Sequence, residues 1–198
     1  SLHDALPILF VLFTGMISNE NFGAILSSWK TVLVVVLTVV VCYMLNIFRI
    51  AIMKKISPAL LFKKAWPTLM ICLTTASSAA AFSTNVHDAN KKLGIDKKLV
   101  DFGIPLGQVL FMPGFIAMLF GMSAGFAETY GIEITVPWVI IGCFTSLLVS
   151  FAIPPVPGGA MMGFTVVFAQ LGIPMEVMGI ALAINAITDF PGTSCNVS

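Results

Sequence analysis

The amino-acid sequence predicts an all-α polytopic membrane protein. It reads as two halves of inverted topology, each a full span and a re-entrant helical hairpin, followed by a broken last helix. Three observations carry this. The 198 residues are 58% hydrophobic and only 10% charged, with a mean hydropathy of +1.02, whereas soluble domains carry about 25% charged residues. Nine of the ten basic residues fall in two clusters: Arg49, Lys54, Lys55, Lys63 and Lys64, then Lys91, Lys92, Lys97 and Lys98. Two long uncharged runs are punctuated midway by small or helix-breaking residues. A net charge of +1 without a basic, aromatic-interleaved patch offers no nucleic-acid surface.

The elements follow from where the charges lie. Residues 1–8, "SLHDALPI", lack the basic flank of a signal peptide and read as a translated sequencing-adapter scar. Residues 9–30 supply the end of a preceding helix and a loop. Residues 31–53 begin with an uncharged run, "TVLVVVLTVVVCYMLNIF", long enough to span, with Lys30 outside and Arg49 inside. Residues 101–127 form the second span, uncharged from 102 and running from the lysine side to Glu128.

Between the spans, residues 57–93 have lysine pairs on both flanks of "AWPTLMICLTTASSAAAFSTNV". Short basic loops are cytoplasmic, and two full spans need about 40 residues. A cytoplasmic-side re-entrant hairpin satisfies both, with its tip at Ser77-Ser78-Ala79-Ala80-Ala81. Residues 134–172 repeat the pattern from the side of Glu133 and Glu176, with "IPPVPGG" in the middle. Gly172 and Pro174 limit the second arm to roughly 12 residues or ~18 Å, about half of a ~30 Å core. An extracellular-side hairpin is the expectation.

Residues 175–198 begin the last transmembrane helix, and the chain stops inside a polar stripe, so it reads as a fragment of a longer protein. Asn185, Asp189, Thr193 and Asn196 are spaced four, four and three apart, which stacks them on one helical face. Pro191-Gly192 within the stripe is expected to break the helix. A buried unpaired carboxylate is costly, so an intramembrane acid marks a functional site. Broken helices and hairpin tips meeting at mid-membrane depth point to a transporter's binding site. Cys42, Cys72, Cys143 and Cys195 lie singly in apolar runs and read as packing residues. His87, beside Asp88 in a hydrophilic loop, reads as a surface residue. No serine–histidine, paired-aspartate or metal-ligand pattern suggests an enzyme.

The ordered motifs "SSAAAFS", "GIPLGQVLFMPG", "VPGG" and "INAITDFPGTSCN" resemble the dicarboxylate/amino acid:cation symporters, which include the glutamate transporters. The resemblance runs from about Lys30 to the end. It implies an inverted-repeat transport domain in the cytoplasmic (inner) membrane, working by an elevator-type mechanism. It also implies a homotrimer formed through upstream scaffold helices, with membrane lipid around it and a small-molecule amino acid as substrate.

Residue by residue, the resemblance implies that Ser77, Ser78 and Ala79 lend backbone groups to the substrate carboxylate. Ala81, Phe82 and Ser83 replace the family's Thr-Leu-Pro. Val156, Pro157 and Gly158 match the tip of the extracellular gate, which Pro154 and Pro155 would stiffen. Asp189 falls where amino acid transporters hold the substrate ammonium. Asn196 matches the asparagine for the main-chain carboxylate, and Thr193 a neighbouring hydroxyl. Gly192 stands where acidic-substrate members carry arginine, and Phe115 where they carry threonine. The implied substrate is therefore a neutral rather than an acidic amino acid.

The resemblance also implies Na+ or H+ as coupling ion, with no other cofactor. The family's Asn-Met-Asp-Gly-Thr reads Phe111-Met112-Pro113-Gly114-Phe115 here, so two sodium ligands are gone. Gly107, Met112, Asn185 and Asn196 remain as a candidate sodium site, and a proton carried by Asp189 is the competing idea. An organic anion or dicarboxylate symporter of the same fold, and a channel with re-entrant loops, stay open as alternatives.

Overall fold

The computed structural model describes residues 29–153 and 158–197, and every regular element among them is helical. The first helix, α1 (Trp29–Lys54), has 26 residues, or about 39 Å, enough to cross a membrane core. Thr31, Val35, Val39, Tyr43, Ile47 and Ala51 recur every fourth residue and form its buried face. Leu33, Leu37, Val41, Leu45 and Ile52 lie exposed on other faces. A helix apolar all round requires an apolar environment outside the fold as well as inside it.

Helices α2 (Pro58–Thr75) and α3 (Ser78–His87) form an antiparallel pair. Pro58 at the first turn of α2 gives up no hydrogen bond the helix needs. Ala76, in the left-handed region at φ 47°, reverses the chain, and its N–H bonds the Cys72 carbonyl. A short π-helical turn (Asp88–Lys92) follows α3. Buried Asp88 pairs there with Lys92 at 2.8 Å, and the Lys64 Nζ donates to the Lys92 carbonyl. The two lysine flanks of the pair thus meet at one end. His87 is exposed, with its ring nitrogen 3.2 Å from Asp88.

The second span differs from the expected unbroken helix over 101–127. It is α4 (Lys97–Leu110) and α5 (Pro113–Thr129), separated at Phe111-Met112, both of which leave helical geometry. Pro113 is the cause: its ring disfavours a helical residue before it and it carries no N–H. Helices α6 (Val136–Ala152) and α7 (Gly159–Leu171) form the second pair. Gly172 ends α7 at φ 73°, and Trp138 Nε1 ties α6 to the Leu171 carbonyl at 3.2 Å.

After a 3-10 turn (Met175–Val177) comes α8 (Met178–Val197), which contradicts the expected broken last helix. It continues through Pro191. The missing N–H removes one hydrogen bond, to the Ile187 carbonyl, without releasing the turns around it. The Thr188 and Ser194 hydroxyls bond the carbonyls of Ile184 and Phe190 on either side. Lost backbone bonds of this kind are tolerated in membrane helices held by neighbours.

The core lies where α1, α5, α7 and α8 meet, around Met118, Leu119, Met122, Phe164, Phe168 and Ile184. Small residues set the helix spacing. A Cβ on Gly125 would collide with Thr31, and one on Gly114 with the Gly192 carbonyl. Small-residue crossings let backbones approach where packing, rather than hydrophobic transfer, drives association.

Candidate functional site

The tips of the two helix pairs, the α4–α5 break and the middle of α8 converge on one cavity of about 430 Å³. That is within the ~300–1,000 Å³ typical of small-molecule sites. From α8 come Asn185, Asp189, Thr193 and Asn196, so the four-residue stripe forms one wall as its spacing requires. Asp189 is half-buried, and its Oδ1 accepts the Thr193 hydroxyl at 3.3 Å.

The first tip contributes Ser77, Ser78 and Ala79. Ser77 is the N-cap of α3, with its Oγ accepting the Ala80 N–H at 3.2 Å. The N–H groups of Ser78 and Ala79 belong to the first turn and have no acceptor within the helix. Gly158 contributes from the second tip. It sits at φ 85° as the N-cap of α7 without a side-chain cap, beside Gly159 and Ala160 on the cavity wall. Val156 and Pro157 lie outside the described residues.

The break between α4 and α5 brings a third helix N-terminus to the cavity, with Met112 and Phe115 on its wall. This end is capped from α8. Asn196 Oδ1 accepts the N–H of Gly114 at 2.8 Å and of Phe115 at 3.3 Å. With its oxygen held there, Asn196 has only its Nδ2 donors to offer the cavity. The N-termini of α3, α5 and α7 all face one space, and each carries partial positive charge of about half a unit. Asp189 is the one carboxylate among the described lining residues, and no described lining residue is cationic.

Two expected site residues sit elsewhere. Gly192 is buried behind the wall, where a Cβ would run into the Met118 sulfur. An arginine in its place would have to displace Met118 before reaching the cavity. Gly107 is off the lining too. Its carbonyl accepts the Phe111 N–H at 2.8 Å, and that of Met112 accepts the Ile116 N–H at 3.1 Å. With Asn196 Oδ1 also engaged, Asn185 Oδ1 is the unpartnered side-chain oxygen among the expected sodium ligands. Gln108 and Met118 line the cavity without having been singled out in the sequence. The signal for Gln108 was available: it is the one amide side chain in the uncharged stretch 102–127.

Comparison with known proteins gives a consistent result. The model of the sodium:dicarboxylate symporter family matches residues 5–198, beginning inside the stretch set aside as a scar. The L-cystine uptake proteins TcyP of Bacillus anthracis and of Bacillus cereus (strain ZK / E33L) are 25% identical over 198 residues, covering 96% of this chain and 41% of theirs. An uncharacterized symporter of Haemophilus influenzae is 32% identical over 149 residues, covering 73% of this chain and 33% of that protein. The chain therefore spans about two fifths or less of the length of these relatives.

Proposed function

Because this chain belongs to the sodium:dicarboxylate symporter family, a family of transporters rather than enzymes, we propose that it forms the substrate-binding part of an amino acid symporter in the cytoplasmic membrane. Its substrates are net-neutral rather than acidic amino acids. The observation that carries this reading is the charge pattern of the cavity: three helix N-termini and one carboxylate, with no cationic side chain among the described lining residues.

Each charge of a zwitterion has a counterpart in that pattern. The α-carboxylate suits the first-turn N–H groups of α3 and α7 and the Asn196 Nδ2 donors. The α-ammonium suits Asp189. A second carboxylate finds no guanidinium to grip it, and Met118 occupies the space behind Gly192. The relatives named for L-cystine uptake support the reading, since cystine is a net-neutral amino acid.

In this proposal α2–α3 and α6–α7 are the re-entrant hairpins, entering from opposite sides with their tips over the substrate. Closure of one tip at a time, with the whole unit moving as an elevator, gives alternating access. Trimer contacts fall to scaffold helices outside the described residues, and the exposed apolar faces of α1 are suited to lipid or to such helices. The family's description implies sodium coupling. The ligand set here supports at most one weak site, with proton movement through Asp189 as the alternative.

The three helix N-termini also suit an organic anion without an amino group, the second reading. Counterflow of radiolabelled leucine, cystine, glutamate and succinate into proteoliposomes carrying the full-length protein separates the two. Accumulation of leucine or cystine with little glutamate is expected. Accumulation of succinate or glutamate alone would overturn the amino acid reading, and non-saturating flux would indicate a channel.

A further inference from the structure

Two neutral amides on the cavity wall have no hydrogen-bond partner among the described residues. Gln108, from α4, and Asn185, from α8, both line the cavity, and both are half-buried. Gln108 Nε2 and Asn185 Oδ1 are shut away from solvent without a hydrogen bond. Among the described residues no hydrogen bond engages Gln108 Oε1 or Asn185 Nδ2 either. Buried polar groups are almost always paired, and two exceptions on one wall call for partners that a ligand brings. A terminal amide torsion is roughly two-fold, so each side chain can turn either a donor or an acceptor inward.

These amides stand apart from the groups that suit the first amino acid end. Asn185 precedes Asp189 by one turn and Asn196 by eleven residues, about 16 Å along the helix. One amino-carboxylate cannot reach from Asn196 and Asp189 to this position as well. A cation alone would leave the amide N–H donors of Gln108 and Asn185 unpaired, whereas an amino-carboxylate end brings both an acceptor and a donor.

We propose that Gln108 and Asn185 form a second, uncharged subsite that takes the far amino-carboxylate end of a two-ended amino acid, of the diamino dicarboxylic class. The far carboxylate accepts a hydrogen bond from one amide, and the far ammonium donates one to the other. Because the subsite carries no charge, a far end with both charges is favoured over a lone ammonium or a lone carboxylate. This proposal rests on the amino acid reading above and names its substrate class.

Two redox-inert probes test it in proteoliposomes of the full-length protein: L-cystathionine, which has two amino acid ends, and S-methyl-L-cysteine, which has one. The parent is expected to bind cystathionine about tenfold more tightly, the equivalent of one well-formed hydrogen bond to a charged group. In Gln108→Leu and Asn185→Leu that ratio should fall to near one. The parent's own selectivity needs no mutant to fold. Equal affinity for both probes in the parent, or equal loss for both in the variants, would overturn the subsite. A change in sodium dependence with selectivity intact would do the same. Good binding of S-methylcysteine with none of cystathionine leaves the amino acid reading standing and removes this one. Binding of neither probe removes both.

Discussion

Asn196 Oδ1 accepts the Gly114 N–H at 2.8 Å, so a side chain of α8 caps α5 across 82 residues of sequence. Helix α5 has no cap of its own, since Met112 offers no side-chain acceptor and Pro113 no N–H. One amide on the cavity wall thereby holds the α4–α5 break with its oxygen, and in the proposed reading it offers its nitrogen to the substrate.

That division can be separated by substitution. Asn196→Asp retains an acceptor for Gly114 and Phe115 but replaces the donor with negative charge. Thermal stability in detergent should stay near that of the parent while substrate affinity falls more than tenfold. Asn196→Ala removes both functions, with a stability loss of about 1 kcal/mol typical of a missing cap. Melting curves beside substrate titration check the pair, and an Asp variant that binds normally would remove Asn196 from the carboxylate site.

Asp189→Asn preserves shape and removes the charge proposed for the substrate ammonium. A charge-assisted contact is worth about 1.5–3 kcal/mol, so affinity for a zwitterionic amino acid should drop roughly 10- to 150-fold. A ligand without an amino group should lose little. If the variant binds neutral amino acids as the parent does, the organic anion reading takes over.

The crossing of Gly114 and Gly192 makes an asymmetric stability prediction. A methyl at Gly114 meets the backbone carbonyl of Gly192, whereas one at Gly192 meets the flexible end of Met118. Overpacking costs about 1–3 kcal/mol when the neighbour cannot yield. Gly114→Ala should therefore lower the melting temperature more than Gly192→Ala, as read by thermal unfolding in detergent. The reverse order would mean that α5 and α8 separate more easily than this packing implies.

Sodium dependence should be weak. Sodium prefers oxygen ligands free to coordinate it, and Gly107, Met112 and Asn196 already accept backbone N–H groups. Uptake measured against sodium concentration should give a shallow curve. A Hill coefficient near three would overturn this expectation.

Topology follows from the joined flanks of α2 and α3. Lys63 and Lys91 are exposed, and neighbouring Lys64 and Lys92 are in contact. In the full-length protein, Lys63→Cys and Lys91→Cys should react with a membrane-impermeant thiol reagent from the same, cytoplasmic side. Labelling from opposite sides would remove the re-entrant reading of this pair.

The sequence by itself determined the all-helical class, the helix pairs and the polar wall of α8. Those properties follow from local rules: charge spacing bounds apolar segments, and residues three and four apart share a helical face. Asn185, Asp189, Thr193 and Asn196 could be placed together for that reason. The tertiary structure decided what depends on neighbours. Pro191 looked like a break, yet α8 stays helical on both sides of it. Pro113 opens a new helix for a local reason, but the cap that its N-terminus lacks comes from Asn196, distant in sequence. Gly192 was legible as a missing arginine, but only the crossing of α5 and α8 puts Met118 against it and takes it off the cavity wall. Gln108 became part of the site for the same reason: which face of a helix meets a cavity is set by the elements packed around it, and no local pattern encodes them.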